Sequence, residues 1–412
     1  MGQDEVVVGL DIGTTKVCAI IAEMAPEGEP KVVGVGISPS EGVRRGVVVD
    51  MDKTVQAVQK AVQAAELMAG LRVGAVHLGI AGEHISSLNS RGVIAVGGEH
   101  HEIETEDKAR VIEAARAVAI PFDRQVLHVL PQEFSVDDQE GIRDPVGMSG
   151  VRLETIVHIA TAGATALQNL TRGVERAGLQ AQGIYLESLA SSRSVLEEEE
   201  LEMGVCLVDI GGGTTSIAVF YQGSVRHSAV IGLGGQSITS DIAICLRTSW
   251  SHAEKIKCDW GAARAYGIGQ EEVVEVPGIA GRIPQRVARR ELASIVEARM
   301  EEIFLMVGDE LARSGYADYL SAGVVLTGGG ALLDGAAEQG ELLLRLPVRV
   351  GAPRELRGMS ERVAGPGFAT AVGLVLMGGQ TERGSEGRGT GFEEEQSTSV
   401  FGRVKEWFKA VV

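Results

Sequence analysis

Two short stretches of this 412-residue chain carry the same combination of groups, LDIGTTK at 10–16 and VDIGGGTTS at 208–216. In each, an aspartate closes an apolar run, and glycines and threonines follow at once. Gly13 and Gly211, Gly212 and Gly213 permit close approach and positive φ, so the backbone N–H groups of such a tip can converge on one anion. Thr14, Thr15, Thr214 and Thr215 add hydroxyl donors, and Lys16 adds a point charge suited to a β- or γ-phosphate. Asp11 and Asp209 could hold a divalent ion through its water shell, because Mg²⁺ dehydrates reluctantly. One such tip reads equally well as a plain turn. Two in corresponding positions point to a phosphate clamp.

A third stretch, VVLTGGGALLDG at 324–335, reads as a buried strand, three glycines and a helix start. Gly328, Gly329 and Gly330 leave room for a flat base or ribose, and a helix N-terminus favours a nearby phosphate. His100-His101-Glu102 is weaker as chemistry: adjacent histidines on an extended segment face opposite ways and no third ligand is spaced for a metal. The acidic run Glu197–Glu200 reads as a solvated helix end.

These tips need elements that hold them opposite one another. The stretches 6–24 and 204–223 each read as a β-hairpin with a small-residue tip, two copies of one device. The first copy continues with strands at 31–37 and 43–49, a helix with apolar spacing at Val55, Val58, Val62 and Ala65, and a strand at 73–81. The second runs through strands at 204–209, 215–221 and 224–231, a helix from about 235, a long helix near 288–313, a strand at 322–327 and a helix after the glycines. The expected fold is therefore α/β, with two duplicated βββαβα halves facing each other across a cleft. Residues 83–162 interrupt the first half, with a helix at 105–118 and strands at 92–96, 126–130 and 151–160; residues 234–290 decorate the second.

Composition narrows the function. Asp and Glu number 56 against 38 Lys and Arg, a formal charge of −18, which excludes a nucleic-acid binder because phosphate neutralisation needs a basic face. The 55 glycines stand against only 3 Trp, 5 Tyr and 8 Phe, about twice the usual share of glycine. The N-terminus lacks the basic and long apolar regions of a signal peptide. Nowhere does an apolar run reach the ~18 residues of a spanning helix, and the chain reads as cytosolic. Cys18, Cys206, Cys245 and Cys258 show no CxxC spacing and read as reduced thiols.

The C-terminal end differs from the rest. Residues 379–398 are mostly Gly, Glu, Ser and Thr with almost nothing to bury, a flexible linker. The segment 399–412 then places Val400, Phe401, Val404, Trp407, Phe408 and Val411 on one helical stripe, with Arg403, Lys405 and Lys409 against Glu406. Such a helix spans about 21 Å at 1.5 Å per residue, too short to cross a bilayer and suited to lying in its interface. A filament carrying many such tails would bind lipid far more tightly than a monomer.

The paired hairpins and TGGGALLDG resemble the phosphate and adenosine motifs of the actin, Hsp70 and hexokinase superfamily, whose halves are RNase H-like. Within it the chain resembles, over nearly its whole length, the FtsA family of bacterial cell-division proteins. The stretches carrying this are LDIGTTKVCAII, PQEFSVDDQEGIRDPVGMSGVRLE, LESLASS, DIGGGTTSIAVF, IGLGGQSIT, AEKIK, LTGGGALLDG and GPGFATAVGL. The segment Asp144–Met148 is more specific than the superfamily motifs.

The resemblance implies ATP and Mg²⁺ as cofactors. It implies subdomain 1A at 1–82 with 163–198 and 361–378, 1C at 83–162, 2A at 199–233 with 291–360, and 2B at 234–290. Gly234, Gly235, Glu254 and Lys257 would then contact the nucleotide, the last two at ribose and adenine, although a solvated ion pair on a helix face would use the same spacing. Glu187, ending a strand and opening a helix, stands where such proteins position the attacking water; a helix-opening Glu also simply favours the macrodipole. Binding of ATP is expected, and slow turnover is left open. By the same resemblance the protein polymerises on the cytoplasmic face of the inner membrane at the septum. It would anchor FtsZ, binding the FtsZ C-terminal peptide through 2B near Arg299 and Glu302, and would recruit later division proteins through 1C. The rival readings are a pilus-assembly actin-like protein and a small-molecule kinase on the same scaffold. A chaperone of the Hsp70 type would need a substrate-binding domain after the ATPase core.

Overall fold

The computed structural model describes residues 5–24, 29–97, 101–269, 271–279, 282–354 and 356–386. Strands β1 (Glu5–Ile12) and β2 (Lys16–Met24) make the first hairpin, and β3 (Lys31–Pro39) extends it antiparallel. Nearly every residue of β1 and β2 is buried. That explains their continuous Val/Ile/Ala runs, since strands covered on both faces lose the polar alternation.

Residues 43–49, expected as one strand, form a tiny hairpin instead, β4 (Val43–Arg44) against β5 (Val47–Val48). Its tip is left-handed at both positions, Arg45 at φ 49° and Gly46 at φ 73°, the type I′ geometry that suits a two-residue hairpin. Helix α1 (Met51–Ala69) starts where the Asp50 side chain accepts from the Lys53 N–H at 3.1 Å and stops at Gly70, φ 69°. It buries Val58, Ala61, Val62 and Ala65 against the sheet. Strand β6 (Ala75–Ile80) then lies parallel to β1.

The insertion is a layer of its own. β7 (Ser86–Ala95), α2 (Thr105–Arg116), β8 (Arg124–Val136), β9 (Gln139–Ile142) and β10 (Arg152–Gly163) form an antiparallel sheet in the order β7-β10-β8-β9. Val96, Ile103, Val111, Phe134 and Leu153 make a separate small core between α2 and this sheet.

The chain returns through α3 (Ala164–Arg176), β11 (Gln180–Leu186), α4 (Glu187–Val195) and the short α5 (Glu198–Met203). The acidic run at the head of α5 is more than a solvated end. Glu197 and Glu200 form a reciprocal capping box, and Glu200 accepts from Arg349 Nε and Nη2, both at 2.6 Å.

The second half repeats the first with β12 (Val205–Ile210), β13 (Thr215–Tyr221) and β14 (Ser224–Ile231). There follow α6 (Gly235–Cys245), α7 (Trp250–Trp260), β15 (Val273–Val276), β16 (Gln285–Ala288), α8 (Arg289–Ser314), β17 (Val324–Thr327), α9 (Ala336–Leu344) and β18 (Val348–Val350). Its sheet order, β14-β13-β12-β17-β18, matches the first half's β3-β2-β1-β6-β11 strand for strand. The duplication thus extends one parallel strand beyond βββαβα in each half. The expected helix start at the glycines is displaced: Gly329–Leu332 is a single 3₁₀ turn, and α9 begins only at Ala336. Left-handed Gly328 (φ 81°) and Gly335 (φ 74°) bracket that turn and prevent one continuous helix.

The last elements cross back. β19 (Arg357–Gly358) pairs with β3, and α10 (Ala369–Glu386) packs on β1 and α4. Helix α10 continues to Glu386, into the segment read as linker from 379; once its buried first turns are fixed, propagation needs only one further hydrogen bond per residue. Among the described residues no helix is long and apolar enough to cross a membrane.

Candidate functional site

Both hairpin tips close in the same way. The Gly13 N–H donates to the Lys16 carbonyl at 3.0 Å, and the Gly211 N–H to the Thr214 carbonyl at 2.9 Å. The register sets Asp11 opposite Cys18 and Asp209 opposite Ser216, so the two carboxylates leave equivalent positions of the two sheets. The tips touch. A Cβ on Gly212 would fall 2.5 Å from Thr15 Cγ2, and one on Gly213 2.6 Å from Thr14 Oγ1. Glycine there lets the halves approach, a requirement separate from any phosphate.

Between the tips lies a cleft of about 450 Å³, within the range of small-molecule sites. Thr14, Thr15 and Lys16 line one wall and Gly211, Gly212 and Thr214 the other. Lys16 Nζ donates to the Gly367 carbonyl at 2.5 Å and stands 3.8 Å over the ring of Phe368.

At the base, Asp11, Asp209 and Glu187 converge. Burial pushes Asp11 up to about 6, with Lys16 opposing and Asp209 reinforcing the shift. Burial also raises Asp209, against hydrogen bonds from Ser191 and Thr370 and the charge of Lys16. Glu187 is lifted well above the ordinary carboxyl range by burial, then by Asp11 and Asp209. Three buried acids facing one ammonium leave a surplus of negative charge that a divalent cation would balance. Among the described residues no three acidic, His or Cys side chains close into a direct ligand set. The arrangement therefore fits Mg²⁺ held through its own water.

The opposite end of the cleft is built by α7 and the glycine turn. Lys257 Nζ donates to the Gly235 carbonyl at 3.0 Å, Thr239 Oγ1 at 2.9 Å and Glu254 Oε2 at 2.8 Å. Burial raises Glu254, but hydrogen bonds from Lys257 and Thr239 outweigh it and hold the carboxyl below its usual value. Gly328, Gly329 and Gly330 form the facing wall, with Leu332 and Leu333 beside them. A Cβ on Gly328 would sit 2.3 Å from Asp209 Oδ1, whereas one on Gly329 would meet nothing within 4 Å. Gly328 therefore serves the packing around Asp209, and Gly329 faces open space.

Some expected residues lie elsewhere. Thr215 is fully buried, its hydroxyl donating to the Leu233 carbonyl at 2.9 Å. Gly234 lies behind the second tip, where a Cβ would fall 2.6 Å from the Gly211 carbonyl; the Gly235 N–H donates to that carbonyl at 2.9 Å. Gly213 lines a neighbouring cavity with Arg299. Arg299 donates to both oxygens of Asp241, at 2.7 and 3.0 Å, and also to Glu302. The amphipathic stripe Val400–Val411 lies outside the described residues.

Sequence reasoning missed several residues that line the cleft or support its carboxylates. Ser191 Oγ donates to Asp209 Oδ2 at 2.5 Å and Thr370 Oγ1 to the same oxygen at 3.2 Å. Gly367, Phe368 and Cys258 also line the cleft. Ser191 and Thr370 belong to LESLASS and GPGFATAVGL, stretches singled out in the sequence with no site role attached to either hydroxyl.

Comparison with known proteins agrees with this architecture. A family model described as "Cell division protein FtsA" matches residues 206–373, and one described as "SHS2 domain inserted in FTSA" matches 82–161. The chain is 46% identical over 409 residues to the cell division protein FtsA of Pseudomonas aeruginosa, covering 98% of this chain and 97% of that one. To FtsA of Escherichia coli K12 it is 40% identical over 412 residues, covering 98% and 96%. Among solved structures, a PilM-PilN type IV pilus biogenesis complex superposes with TM-score 0.66 at 18% identity, covering 90% of this chain and 98% of that one. MreB5 of Spiroplasma citri bound to ADP gives TM-score 0.57 at 14% identity, covering 94% and 100%. These two likenesses establish an actin-like fold.

Proposed function

The chain belongs to the FtsA family of cell division proteins, and from that premise we propose that it is an ATP-binding adaptor that polymerises on the cytoplasmic membrane face and anchors the FtsZ ring there. The observation that carries the nucleotide reading is the meeting of both hairpin tips, Lys16 and three buried carboxyls at one end of a cleft whose other end holds the Glu254–Lys257 pair. Lys16 and the hydroxyls of Thr14, Thr15 and Thr214 would hold the β- and γ-phosphates. Asp11 and Asp209 would hold the waters of Mg²⁺, while Glu254 and Lys257 take the ribose and adenine. When bound, the ion supplies positive charge to the phosphates.

Glu187 heads α4 and faces both aspartates. A carboxyl at that position is placed to orient an attacking water by hydrogen bonding. ATP binding is the firm part of this reading and slow turnover an open addition to it, with nucleotide occupancy acting on assembly.

In family terms 83–162 serves as subdomain 1C, the site for later division proteins, and 234–290 as 2B. Arg299 and Glu302 on α8 contact the FtsZ C-terminal peptide. Residues 400–411 lie in the inner-membrane interface at the septum, tethered by the segment after α10.

Two measurements test this. Titration calorimetry should give one ATP site per chain that weakens strongly with chelator and in Asp209→Asn; equal binding in all three cases would remove the nucleotide assignment. Liposome co-sedimentation should be lost on truncation after residue 398, together with lipid-bound FtsZ. Retention of lipid binding by the truncated chain would remove the tether.

A further inference from the structure

One cavity outside the nucleotide cleft is built from both halves. It measures about 240 Å³, with Arg44 and Arg45 entering from the first half and Asp241, Trp250 and Arg299 from α6, α7 and α8 of the second. Its charges are unequal. Arg299 is committed to Asp241 and Glu302. Arg44 and Arg45 are exposed, and among the described residues neither guanidinium has an ion-pair or hydrogen-bond partner.

Backbone geometry makes Arg45 more telling. It occupies the first left-handed position of the β4–β5 turn, φ 49°, where Asn or Gly is usual. An arginine there strains the backbone by about 1 kcal/mol. Strain retained at a charged, unpartnered side chain is a pointer to use. Trp250, 47% exposed, adds an apolar surface beside the two cations.

The second hairpin tip lines both this cavity and the nucleotide cleft. Gly213 lines the cavity, while Gly211 and Gly212 of the same tip line the cleft. The Gly46 N–H, next to Arg45, donates to Thr14 Oγ1 at 3.3 Å, and Thr14 lines the cleft. A Cβ on Gly213 would lie 3.0 Å from the Arg45 nitrogen. The arginine turn is therefore in direct contact with both tips.

We propose that this cavity seats a carboxylate of a partner protein's peptide, with Arg44 and Arg45 pairing the charge and an apolar peptide side chain on Trp250. Its occupation is linked through the Arg45–Gly46 turn to nucleotide in the cleft. The proposal rests on the reading of α8 as a partner-binding helix and deepens it, by adding a first-half wall and a coupling to ATP. An indole beside the guanidiniums favours a peptide over an inorganic anion, which would leave the ring unused. Asp241 in the wall disfavours a dense polyanion. Linkage is reciprocal, so nucleotide that tightens the peptide is itself tightened by the same factor.

The test is fluorescence anisotropy of a labelled FtsZ C-terminal peptide on the full chain, with and without Mg²⁺–ATP. The expected result is an affinity that changes about fivefold or more with nucleotide. The double variant Arg44→Gln/Arg45→Asn, whose Asn suits the turn, should weaken the peptide about tenfold and abolish the nucleotide dependence. The charge reversal Arg44→Glu/Arg45→Glu should bind a peptide whose acidic residues are changed to Lys better than the parent does, a gain that misfolding cannot produce. Peptide binding indifferent to both variants, or to nucleotide in the parent, overturns this proposal and leaves the α8 reading standing. Absence of peptide binding to the parent overturns both.

Discussion

Asp11 gives the sharpest quantitative test of the cleft. Its carboxyl lies at about 6 instead of 3.8, because burial and Asp209 together outweigh the attraction of Lys16. The folded chain thus binds the Asp11 proton more tightly than the unfolded chain does. Stability from this group is fully present below pH 3.8 and is lost as pH rises through about 6. Each pH unit between the two values is worth about 1.4 kcal/mol, so the ligand-free chain carries an Asp11 penalty of about 3 kcal/mol at pH 7.5. Asp11→Asn removes the charge while keeping the shape. The variant should be more stable than the parent by up to about 3 kcal/mol at pH 7.5, with the difference vanishing near pH 4. Urea unfolding of both proteins across this range, without nucleotide, measures the difference directly. His128 and His158, pulled down to about 4 and about 3 chiefly by burial, titrate alike in both proteins and cancel. The same substitution should weaken Mg²⁺–ATP at least tenfold, so that Mg²⁺–ATP stabilises the parent and not the variant. A variant less stable than the parent at pH 7.5, or a difference that does not change with pH, would refute the argument that the acids repel one another in a buried site.

Other expectations follow from single contacts. Thr370→Val deletes one of two hydroxyl donors to Asp209 Oδ2; hydrogen bonds to charged groups are worth about 1.5–3 kcal/mol, so Mg²⁺–ATP affinity should drop about tenfold in a titration while the fold persists. Gly373→Ala would put a Cβ 1.7 Å from the Ala190 carbonyl, forcing α10 off α4, and should lower urea stability by about 3 kcal/mol or more. His158 bridges the insertion to the second half, with Nδ1 2.8 Å from Asn89 Oδ1 and Nε2 2.8 Å from Ser228 Oγ. Because burial lowers it to about 3, its stability contribution is present above pH 6.5 and is lost as pH falls towards about 3. Intrinsic-rate-corrected amide exchange in β7 and β14 should therefore lose protection between pH 7 and pH 5 in the parent, and much less in His158→Gln.

Much of the fold was legible because its signals are local. Apolar runs ending in an aspartate and closed by Gly/Thr tips specify hairpins whatever surrounds them. Recurrence of the pattern at 6–24 and 204–223 announced the duplication before any strand was placed. The errors came where a turn overruled an apolar pattern. Residues 43–49 look like one strand until Arg45 and Gly46 turn left-handed. The GGGALL stretch looks like a helix start until Gly328 and Gly335 confine it to one 3₁₀ turn. The Glu197–Glu200 run gave no hint of Arg349, 149 positions further along the chain from Glu200.

By itself the sequence supplied the candidates for phosphate and metal, since two matching tips of glycine and threonine, each closing a strand that ends in aspartate, with one lysine beside them, carry the donors and charges such a site needs. Only the tertiary structure decided which atoms meet. Asp209 is held by Thr370, 161 positions away, and Lys16 by Gly367, 351 positions away. Gly212 and Gly213 are small because the opposing hairpin needs the space. Hydrophobic periodicity fixes which face of an element turns inward, but not what it will meet there. The partner is chosen by how the two duplicated halves pack and by α10 crossing back onto β1 and α4 of the first half, and that packing gathers the acids, the lysine and the hydroxyls into one cleft.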